Sequence, residues 1–343
     1  TPRPLIRAMV KCLRPEPMKT IADPCCGSGG FFLAAQEYLT NPENYQLNRE
    51  EKQFLKSETF HGNELVPNTF KLCLMNLYLH NIGDIYGDVP VTLGDALLTD
   101  PGYRVDYVLT NPPFGKKSSI SITNEEGEEE YEELVYNRQD FWTTSSNKQL
   151  NFLQHINTLL KVTGRAAVVV PDNVLFEGGA GETIRKKLLN TTDLHTILRL
   201  PTGIFYKPGV KANVIFFDKR PASPDRQTKE IWVYDFRTNI HFTLKQHPME
   251  DIDLTLFLGG TRSGKSALAE ALVTAKARGP VWYLATARPL GDDPAMVERI
   301  RRHRSRRPAH WHTLECPRHP GRELAPLLAA QAADAPVPTI LLD

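Results

Sequence analysis

Short apolar runs separated by polar segments with helical periodicity dominate the first 254 residues of the chain. Seven runs have the length and composition of strands, namely residues 20–23, 58–62, 89–92, 105–110, 165–170, 194–200 and 213–217. Residues 148–160 instead carry apolar side chains at helical spacing, at Leu150, Leu153, Ile156 and Leu160. Strands that alternate with helices build a mostly parallel sheet covered on both faces. The pattern therefore predicts an α/β domain on a seven-stranded sheet.

An acidic stretch interrupts this pattern after the fourth predicted strand. Residues 124–130 contain five glutamates and a glycine. Runs of like charge repel one another and are usually solvated. We therefore interpret the run 124–130, which lies between Ser121 and Glu133, as a solvated loop, and its position leaves a role as a lid open.

The apolar runs and the cysteines exclude several classes of protein. Runs such as 166–170 and 214–217 are far shorter than the roughly 20 residues of a membrane span, and no signal for secretion is recognisable. The five cysteines are odd in number and lack the paired spacing of a zinc site. We expect a cytoplasmic protein with free thiols and no membrane partner.

The composition changes abruptly near residue 254. Up to Leu254 the chain contains sixteen Lys, whereas from Thr255 onward it contains two Lys, fifteen Ala and no Asn. A natural boundary usually shows a Gly, Pro or polar linker, yet residues 251–254 run straight into the apolar segment 255–258. We predict two domains, residues 1–254 and 255–343, joined artificially or recently near 252–256.

A glycine-rich turn follows the first predicted strand, where residues 24–30 read Pro-Cys-Cys-Gly-Ser-Gly-Gly before an apolar helix start. Glycines let the backbone approach a ligand, and the N–H groups at a helix start favour a negative group. The spacing is not G-x-G-x-x-G, which disfavours a dinucleotide. A tight structural turn is the alternative explanation.

Acidic side chains follow the next two predicted strands, at Glu64 and Asp95. The carboxyl ends of parallel strands meet at one sheet edge, where open α/β sheets bind ligands. We place Glu64 at the ribose hydroxyls of a cofactor, although a surface glutamate is the alternative. Three such strand ends together predict a cofactor site.

The tetrapeptide Asn111-Pro112-Pro113-Phe114 ends the fourth predicted strand. Its prolines fix φ and favour extended backbone at the residue before them, so the Asn111 side chain and the Pro112 carbonyl can present two acceptors to one amino group. An amine held in this way can attack a methyl sulfonium through positioning and electrostatics. Phe114 offers a ring face to a base that has left the duplex. A purely structural turn is the alternative.

Cys25 raises the question of cytosine-C5 chemistry, which requires a thiol nucleophile. This cysteine lies in the glycine-rich turn and not at the fourth strand, so we expect Cys25 and Cys26 to pack behind the turn. The net charge of +1 gives no basic field of the kind that a protein gripping DNA by itself usually has. DNA binding should therefore depend on a partner.

Residues 1–254 resemble the modification subunit of type I restriction-modification systems, an adenine-N6 DNA methyltransferase. Thr1-Pro2-Arg3 resembles part of the family's Phe-x-Thr-Pro motif, and residues 23–31, 62–64 and 111–114 resemble its glycine, ribose and catalytic motifs. Residues 170–176, 200–205 and 232–237 agree with further landmarks. By this resemblance, we expect the family's helical N-terminal region to be missing from the sequence.

The resemblance implies a class I, Rossmann-like methyltransferase fold that uses S-adenosylmethionine to methylate a flipped adenine in DNA. It also implies a specificity subunit that reads the target sequence, and a restriction subunit, as partners. The implied cofactor residues are Thr1, Pro2, Arg3, Asp23, Gly27, Ser28, Gly29, Gly30, Glu64 and Asp95. The implied catalytic residues are Asn111, Pro112, Pro113 and Phe114.

Residues 259–266 fit the phosphate-binding pattern G-x-x-x-x-G-K-[ST] between an apolar strand and a helix. Gly259, Gly264 and Lys265 would hold the phosphates of ATP or GTP, and Ser266 would hold Mg²⁺. This partial P-loop α/β segment resembles adenosylcobinamide kinase/guanylyltransferase, which implies His303 as the guanylylated nucleophile, ahead of His310 and His312. A basic helix face is the alternative for residues 299–307. We expect an incomplete sheet without catalysis.

Overall fold

The computed structural model describes residues 1–237, with gaps at 85, 88, 116–118, 124–128, 134 and 206–208, and parts of the C-terminal segment: residues 265–277, 279–285, 298, 300–301, 304–305, 307–315 and 339–342. The chain divides into two compact units, one formed by residues 1–237 and 241–256 and the other by residues 238–240 and 257–343. The junction expected near 252–256 lies outside the described residues and stays a prediction.

Ten strands belong to the first unit. They are β1 (Ile21–Asp23), β2 (Phe60–Glu64), β3 (Val91–Leu93), β4 (Val105–Thr110), β5 (Ser119–Thr123), β6 (Glu129–Glu133), β7 (Leu160–Pro171), β8 (Thr192–Arg199), β9 (Ala212–Lys219) and β10 (Trp232–Asp235). Eight of them form one sheet in the order β10-β8-β9-β7-β4-β1-β2-β3, and β5 pairs only with β6. Strand β9 is antiparallel to both of its neighbours, and the other neighbouring pairs in the sheet are parallel.

Six α-helices accompany these strands among the described residues of this unit. They are α1 (Arg3–Leu13), α2 (Gly30–Thr40), α3 (Arg49–Ser57), α4 (Pro67–Leu79), α5 (Lys148–Leu159) and α6 (Ala180–Thr191), and a 3₁₀ helix spans Asp172–Leu175. Local signals fix two of the helix starts. Asn48 and Glu51 form a reciprocal capping box at α3, and the Asn147 side chain accepts from two backbone N–H groups of α5.

The middle of the sheet is buried on both faces. Consecutive residues are buried along 107–110 in β4, 166–170 in β7 and 212–217 in β9. Strands covered on both faces carry continuous apolar runs, because successive side chains point to opposite sides. Each of the seven predicted runs overlaps a strand of this sheet, so the predicted α/β fold is confirmed.

Two features differ from the sequence-based prediction. The sheet has an eighth strand, β10, which pairs parallel with β8 at the edge. The interpretation of 124–130 as a loop is wrong at its end, because Glu129 and Glu130 belong to β6, which pairs antiparallel with β5. The alternation of serine and isoleucine in residues 119–122 carries the strand signal, but the neighbouring glutamates concealed it. Residues 124–128 lie outside the described part.

The second unit contains a three-stranded parallel sheet in its described residues. Strands β11 (Val281–Ala285), β12 (His312–Glu315) and β13 (Thr339–Leu342) lie in the order β12-β11-β13. Helix α7 (Lys265–Lys276) follows the phosphate-binding pattern and confirms the helix expected there. In the described parts of both units, no helix is long and apolar enough to cross a membrane.

Candidate active site

The glycine-rich turn links the end of β1 to the start of α2. Gly27 and Gly29 adopt positive φ values of 56° and 83°, a region that only glycine enters without strain. A Cβ atom at Gly29 would also lie 3.1 Å from Leu77 Cδ2 and 3.2 Å from Cys73 Sγ of α4. The turn therefore depends on glycine for its shape and for its close packing against α4.

The N-terminus of α2 is open to a ligand. Its N-cap is Gly29, and within the described residues no side chain caps the first turn. The first N–H groups of a helix lack partners inside the helix and attract negative groups. Asn76 Nδ2 donates to the Ser28 carbonyl at 3.0 Å and so holds the turn against α4. This arrangement suits a ligand carboxylate at Gly30.

Glu64 lies beside the glycine-rich turn, and its role at the ribose hydroxyls of a cofactor stays a prediction. Its Oε2 accepts from Gly27 N at 3.0 Å and its Oε1 accepts from Val66 N at 2.8 Å. The residue is only 9% exposed, so the alternative of a surface glutamate is wrong. The carboxylate is held at the carboxyl end of β2 by backbone donors, which fixes its position for a ligand.

Asp23 connects the ends of β1 and β4. It is 1% exposed, and its Oδ1 accepts from Thr110 Oγ1 at 2.6 Å and from Cys25 N at 3.1 Å. Burial raises the pKa of Asp23 to about 7, and the charge of Glu64 acts in the same direction. Asp23 is therefore buried at the sheet edge, where it joins the glycine-rich turn to the end of β4.

Asp95 is held from two sides after β3. Its Oδ1 accepts from Leu97 N at 2.9 Å, and its Oδ2 accepts from Tyr136 Oη at 2.6 Å. Arg138 Nη1 donates to the carbonyls of Ala96 and Leu97 at 3.4 Å each. Sequence reasoning missed Tyr136 and Arg138, because they lie beyond the acidic stretch and no local motif marks them.

Asn111 carries the most informative geometry at the end of β4. Its Nδ2 donates to Thr1 Oγ1 at 2.7 Å. Its Oδ1 is buried and has no hydrogen-bond partner among the described residues. A buried acceptor without a partner is costly in a folded protein, so this atom marks a site that a donor from a ligand would complete.

A cleft of about 270 Å³ lies next to residues 111–114, the predicted catalytic turn. Its walls include Phe114 of the turn and polar groups of the segment that follows β7, Asp172 and Asn173. The rings of Phe114 and Phe205 meet edge to face with centroids 5.1 Å apart. Phe205 was noted in the sequence only as part of a landmark and not as a site residue. Aromatic faces beside a cleft suit a flat, unsaturated ligand.

The cysteines of the turn pack behind it, as expected. Cys25 Sγ lies 3.0 Å from Thr110 Oγ1, and Cys26 Sγ lies 3.8 Å from Cys73 Sγ. Burial raises the pKa of the Cys25 thiol, while the hydrogen bond with Cys73 and burial raise that of the Cys26 thiol. Neither thiol is therefore activated as a nucleophile. Cys12, Cys25, Cys26 and Cys73 are free thiols.

The structure brings together most of the predicted methyltransferase residues but not those of the C-terminal segment. Thr1 meets Asn111, and Gly27 meets Glu64. Gly259, Gly264 and His303 lie outside the described residues. Lys265 and Ser266 are placed only as the first residues of α7.

The model of the N-6 DNA Methylase family matches residues 1–262. The chain belongs to this family. Two relatives are the methylase subunits of the type I restriction enzymes EcoKI from Escherichia coli K12 and StySPI from Salmonella potsdam. Each is 42% identical to this chain over 266 residues, and the aligned region covers 75% of this chain and 47% of the relative.

A crystal structure of the EcoKI M protein has a TM-score of 0.61 with 41% identity and covers 73% of this chain and 51% of that one. A structure reported for the assembly of a type I R-M system has a TM-score of 0.61 with 26% identity, and the match covers 96% of this chain and 62% of that one. The chain spans about half the length of the curated relatives it matches.

The strand order agrees with this identification. The sheet has the class I methyltransferase arrangement, with one antiparallel strand, β9, inserted between β7 and β8. A second family model, for cobinamide kinase and cobinamide phosphate guanyltransferase, matches residues 255–343. That match covers the segment that differs in composition from the methylase part.

Proposed function

We propose that this chain carries the methyl-transfer site of a site-specific adenine-N6 DNA methyltransferase. The observation that carries the proposal is the buried, unpartnered Oδ1 of Asn111 at the end of β4, beside the glycine-rich turn. Membership of the N-6 DNA Methylase family supports it. The methylase subunits of type I restriction enzymes among the relatives support the same chemistry.

The cofactor edge fits S-adenosylmethionine, which supplies a methyl group on a sulfonium. The first turn of α2 at Gly30 would bind the carboxylate of the cofactor, because its N–H groups are not capped by a side chain. Glu64 would accept from the ribose hydroxyls. Asp95 would accept from the adenine amine of the cofactor, since its carboxylate keeps acceptor capacity beyond the two bonds observed.

The catalytic turn would hold the amine of the target base. Asn111 Oδ1 and the Pro112 carbonyl would accept hydrogen bonds from its two hydrogens. These bonds would raise the electron density at the nitrogen and would orient the nitrogen toward the methyl group of the cofactor. Phe114 and Phe205 would hold the base after it leaves the duplex. The cysteines of the turn take no part, because their pKa values are raised.

The partners would be DNA, a specificity subunit and a restriction subunit. The net charge of +1 gives this chain little electrostatic attraction for a duplex of its own. A relative solved in a study of the assembly of a type I R-M system supports a multi-subunit setting. A separate subunit that reads sequence would supply the base contacts that specificity requires.

The decisive experiment replaces Asn111 with alanine in the complex of the full-length chain with its specificity subunit. Turnover should fall by about 100-fold or more, because an acceptor that acts mainly in the transition state is lost. The dissociation constant for the cofactor should stay within about 2-fold. Asn190→Ala on the exposed face of α6 is the matched control. An Asn111→Ala complex with wild-type turnover would refute the mechanism.

The C-terminal segment favours a second, separate function. The junction near 254 and the family match over 255–343 are consistent with a distinct segment that binds a nucleoside triphosphate with Mg²⁺. Helix α7 starts at Lys265, the position that a phosphate-binding loop requires. This function would be the binding of a nucleoside triphosphate by residues 259–266.

A further inference from the structure

A buried glutamine amide lies directly behind the catalytic turn. Gln149, the second residue of α5, is 3% exposed. Its Nε2 donates to the Pro113 carbonyl at 2.8 Å. Its Oε1 is buried and has no hydrogen-bond partner within the part of the chain that the structure describes. Among the described residues, the Gln149 amide is therefore bonded through its Nε2 to Pro113, while its Oε1 accepts no hydrogen bond.

The position of Gln149 is fixed by a chain of hydrogen bonds. Its backbone N donates to Asn147 Oδ1 at 3.0 Å, and Asn147 Nδ2 donates to Glu177 Oε2 at 2.9 Å. Asn173 Nδ2 donates to the same Glu177 oxygen at 3.0 Å. The start of α5 and the segment after β7 are thus tied together, and Gln149 extends this network to Pro113.

The network borders the cleft beside the catalytic turn. Phe114, Gln149 and Asn173 all line that cleft. The orientation of the Gln149 amide is also determined, because the opposite orientation would place its Oε1 2.8 Å from the Pro113 carbonyl oxygen. Two acceptors at that distance repel each other. Gln149 therefore donates a hydrogen bond to the turn at Pro113 and also lines the cleft.

We propose that Gln149 is a positioning residue for methyl transfer, and this inference rests on the proposed function. By donating to the Pro113 carbonyl, it fixes the backbone that presents Asn111 Oδ1 and the Pro112 carbonyl to the target amine. Misplacement of reacting groups by about 1 Å can cost as much as 100-fold in rate. Gln149 acts on the reaction through the turn and has no part in holding the cofactor.

The first test compares Gln149→Met with Gln154→Met in the complex of the full-length chain with its specificity subunit. Methionine keeps most of the volume of glutamine but cannot donate. Gln154 is also buried on α5, and its amide bonds the backbone of Thr143, away from the turn. Gln149→Met should lower kcat by roughly 10-fold to 100-fold, with the cofactor Kd unchanged. Gln154→Met should lower stability but leave kcat near the wild-type value.

The second test uses Gln149→Glu across pH 6 to 8.5. An ionised carboxylate would repel the Pro113 carbonyl, whereas a protonated carboxyl group can donate to it as the glutamine does. Burial raises the pKa of a carboxyl group, so the protonated fraction of the introduced glutamate grows as the pH falls. The kcat of Gln149→Glu relative to wild type should rise as the pH falls, and that of Gln149→Met should stay flat.

The outcomes separate this inference from the proposed function. A wild-type complex that binds the cofactor but transfers no methyl group to any adenine would overturn the proposed function itself. An active wild type together with Gln149→Met at wild-type kcat would overturn only the positioning role. The same conclusion follows if Gln149→Glu and Gln149→Met both keep the wild-type kcat across this pH range, because the bond to Pro113 would then not control the rate.

Discussion

The carboxyl group of Asp23 lies between β1 and β4 and titrates close to neutral pH. Burial raises its pKa to about 7, from an ordinary value near 4. The folded chain therefore holds a proton that the unfolded chain releases above about pH 4. The contribution of Asp23 to stability is fully present below about pH 4 and is lost as the pH rises through 7.

Asp23→Asn should remove this dependence. Three pKa units correspond to about 4 kcal/mol, and asparagine keeps an acceptor for Thr110 and Cys25. We expect the variant and the wild type to have similar melting temperatures at pH 5, and the variant to be the more stable at pH 8. Thermal unfolding without cofactor, followed by circular dichroism, measures the difference.

His155 provides an internal check on this measurement. Burial and the charge of Arg138 lower its pKa to about 3, so its contribution to stability is present above pH 6.5 and is lost as the pH falls toward 3. This effect is common to the wild type and Asp23→Asn, and it cancels in their difference. Asp193→Asn, which alters a partly exposed ion pair with Arg220, should show no gain at pH 8. A pH-independent difference for Asp23→Asn would contradict the prediction.

At the scale of elements, the segment after the β5–β6 hairpin joins the cofactor edge to α5. Arg138 donates to Asp140 through Nε at 2.9 Å and through Nη2 at 2.6 Å, and its Nη1 lies 3.0 Å from His155 Nδ1. Although burial opposes it, the hydrogen bonds from Arg138 and Thr158 hold the pKa of Asp140 at about 2. A neutral His155 can accept from Arg138, so the network is satisfied internally.

Tyr136→Phe should weaken cofactor binding through this segment. The change removes the hydroxyl that donates to Asp95 but keeps the ring in its apolar cluster. Loss of a hydrogen bond to a charged group costs about 1.5–3 kcal/mol, and part of that cost should appear as a roughly 10-fold increase in the Kd of S-adenosylhomocysteine. Calorimetry on Tyr136→Phe and on Tyr45→Phe as control tests this. Equal affinities in both variants would show that Asp95 needs no support from Tyr136.

The sequence predicted elements wherever the signal was local. The runs 105–110 and 165–170 are consecutive apolar stretches because both faces of β4 and β7 are buried, and the glycines and Asn111 stand directly after strands. Tyr136 and Gln149 belong to the site through contacts with Asp95 and Pro113 that are 41 and 36 residues away in the chain. Nothing in their immediate neighbourhood marks such long-range bonds, so they could not be predicted.

At the scale of the whole molecule, two segments of different composition coexist in one chain. The methylase part carries its site on one sheet edge, and the described part of the C-terminal unit is a small parallel sheet with α7. The two family models meet at residues 255–262. Ligands of the two segments should therefore bind independently, since the described part of each segment has its own sheet.

Lys265→Ala should separate the two binding functions in the full chain. In a phosphate-binding loop the lysine neutralises the terminal phosphates, so its loss should weaken Mg²⁺–ATP or Mg²⁺–GTP binding by at least about 10-fold while S-adenosylhomocysteine binding stays at the wild-type value. Lys276→Ala at the other end of α7 is the control, because it keeps the same net charge as Lys265→Ala. Calorimetric titration of both ligands on all three proteins gives the comparison. Equal nucleotide affinity in Lys265→Ala and wild type would contradict a phosphate site in which Lys265 neutralises the terminal phosphates.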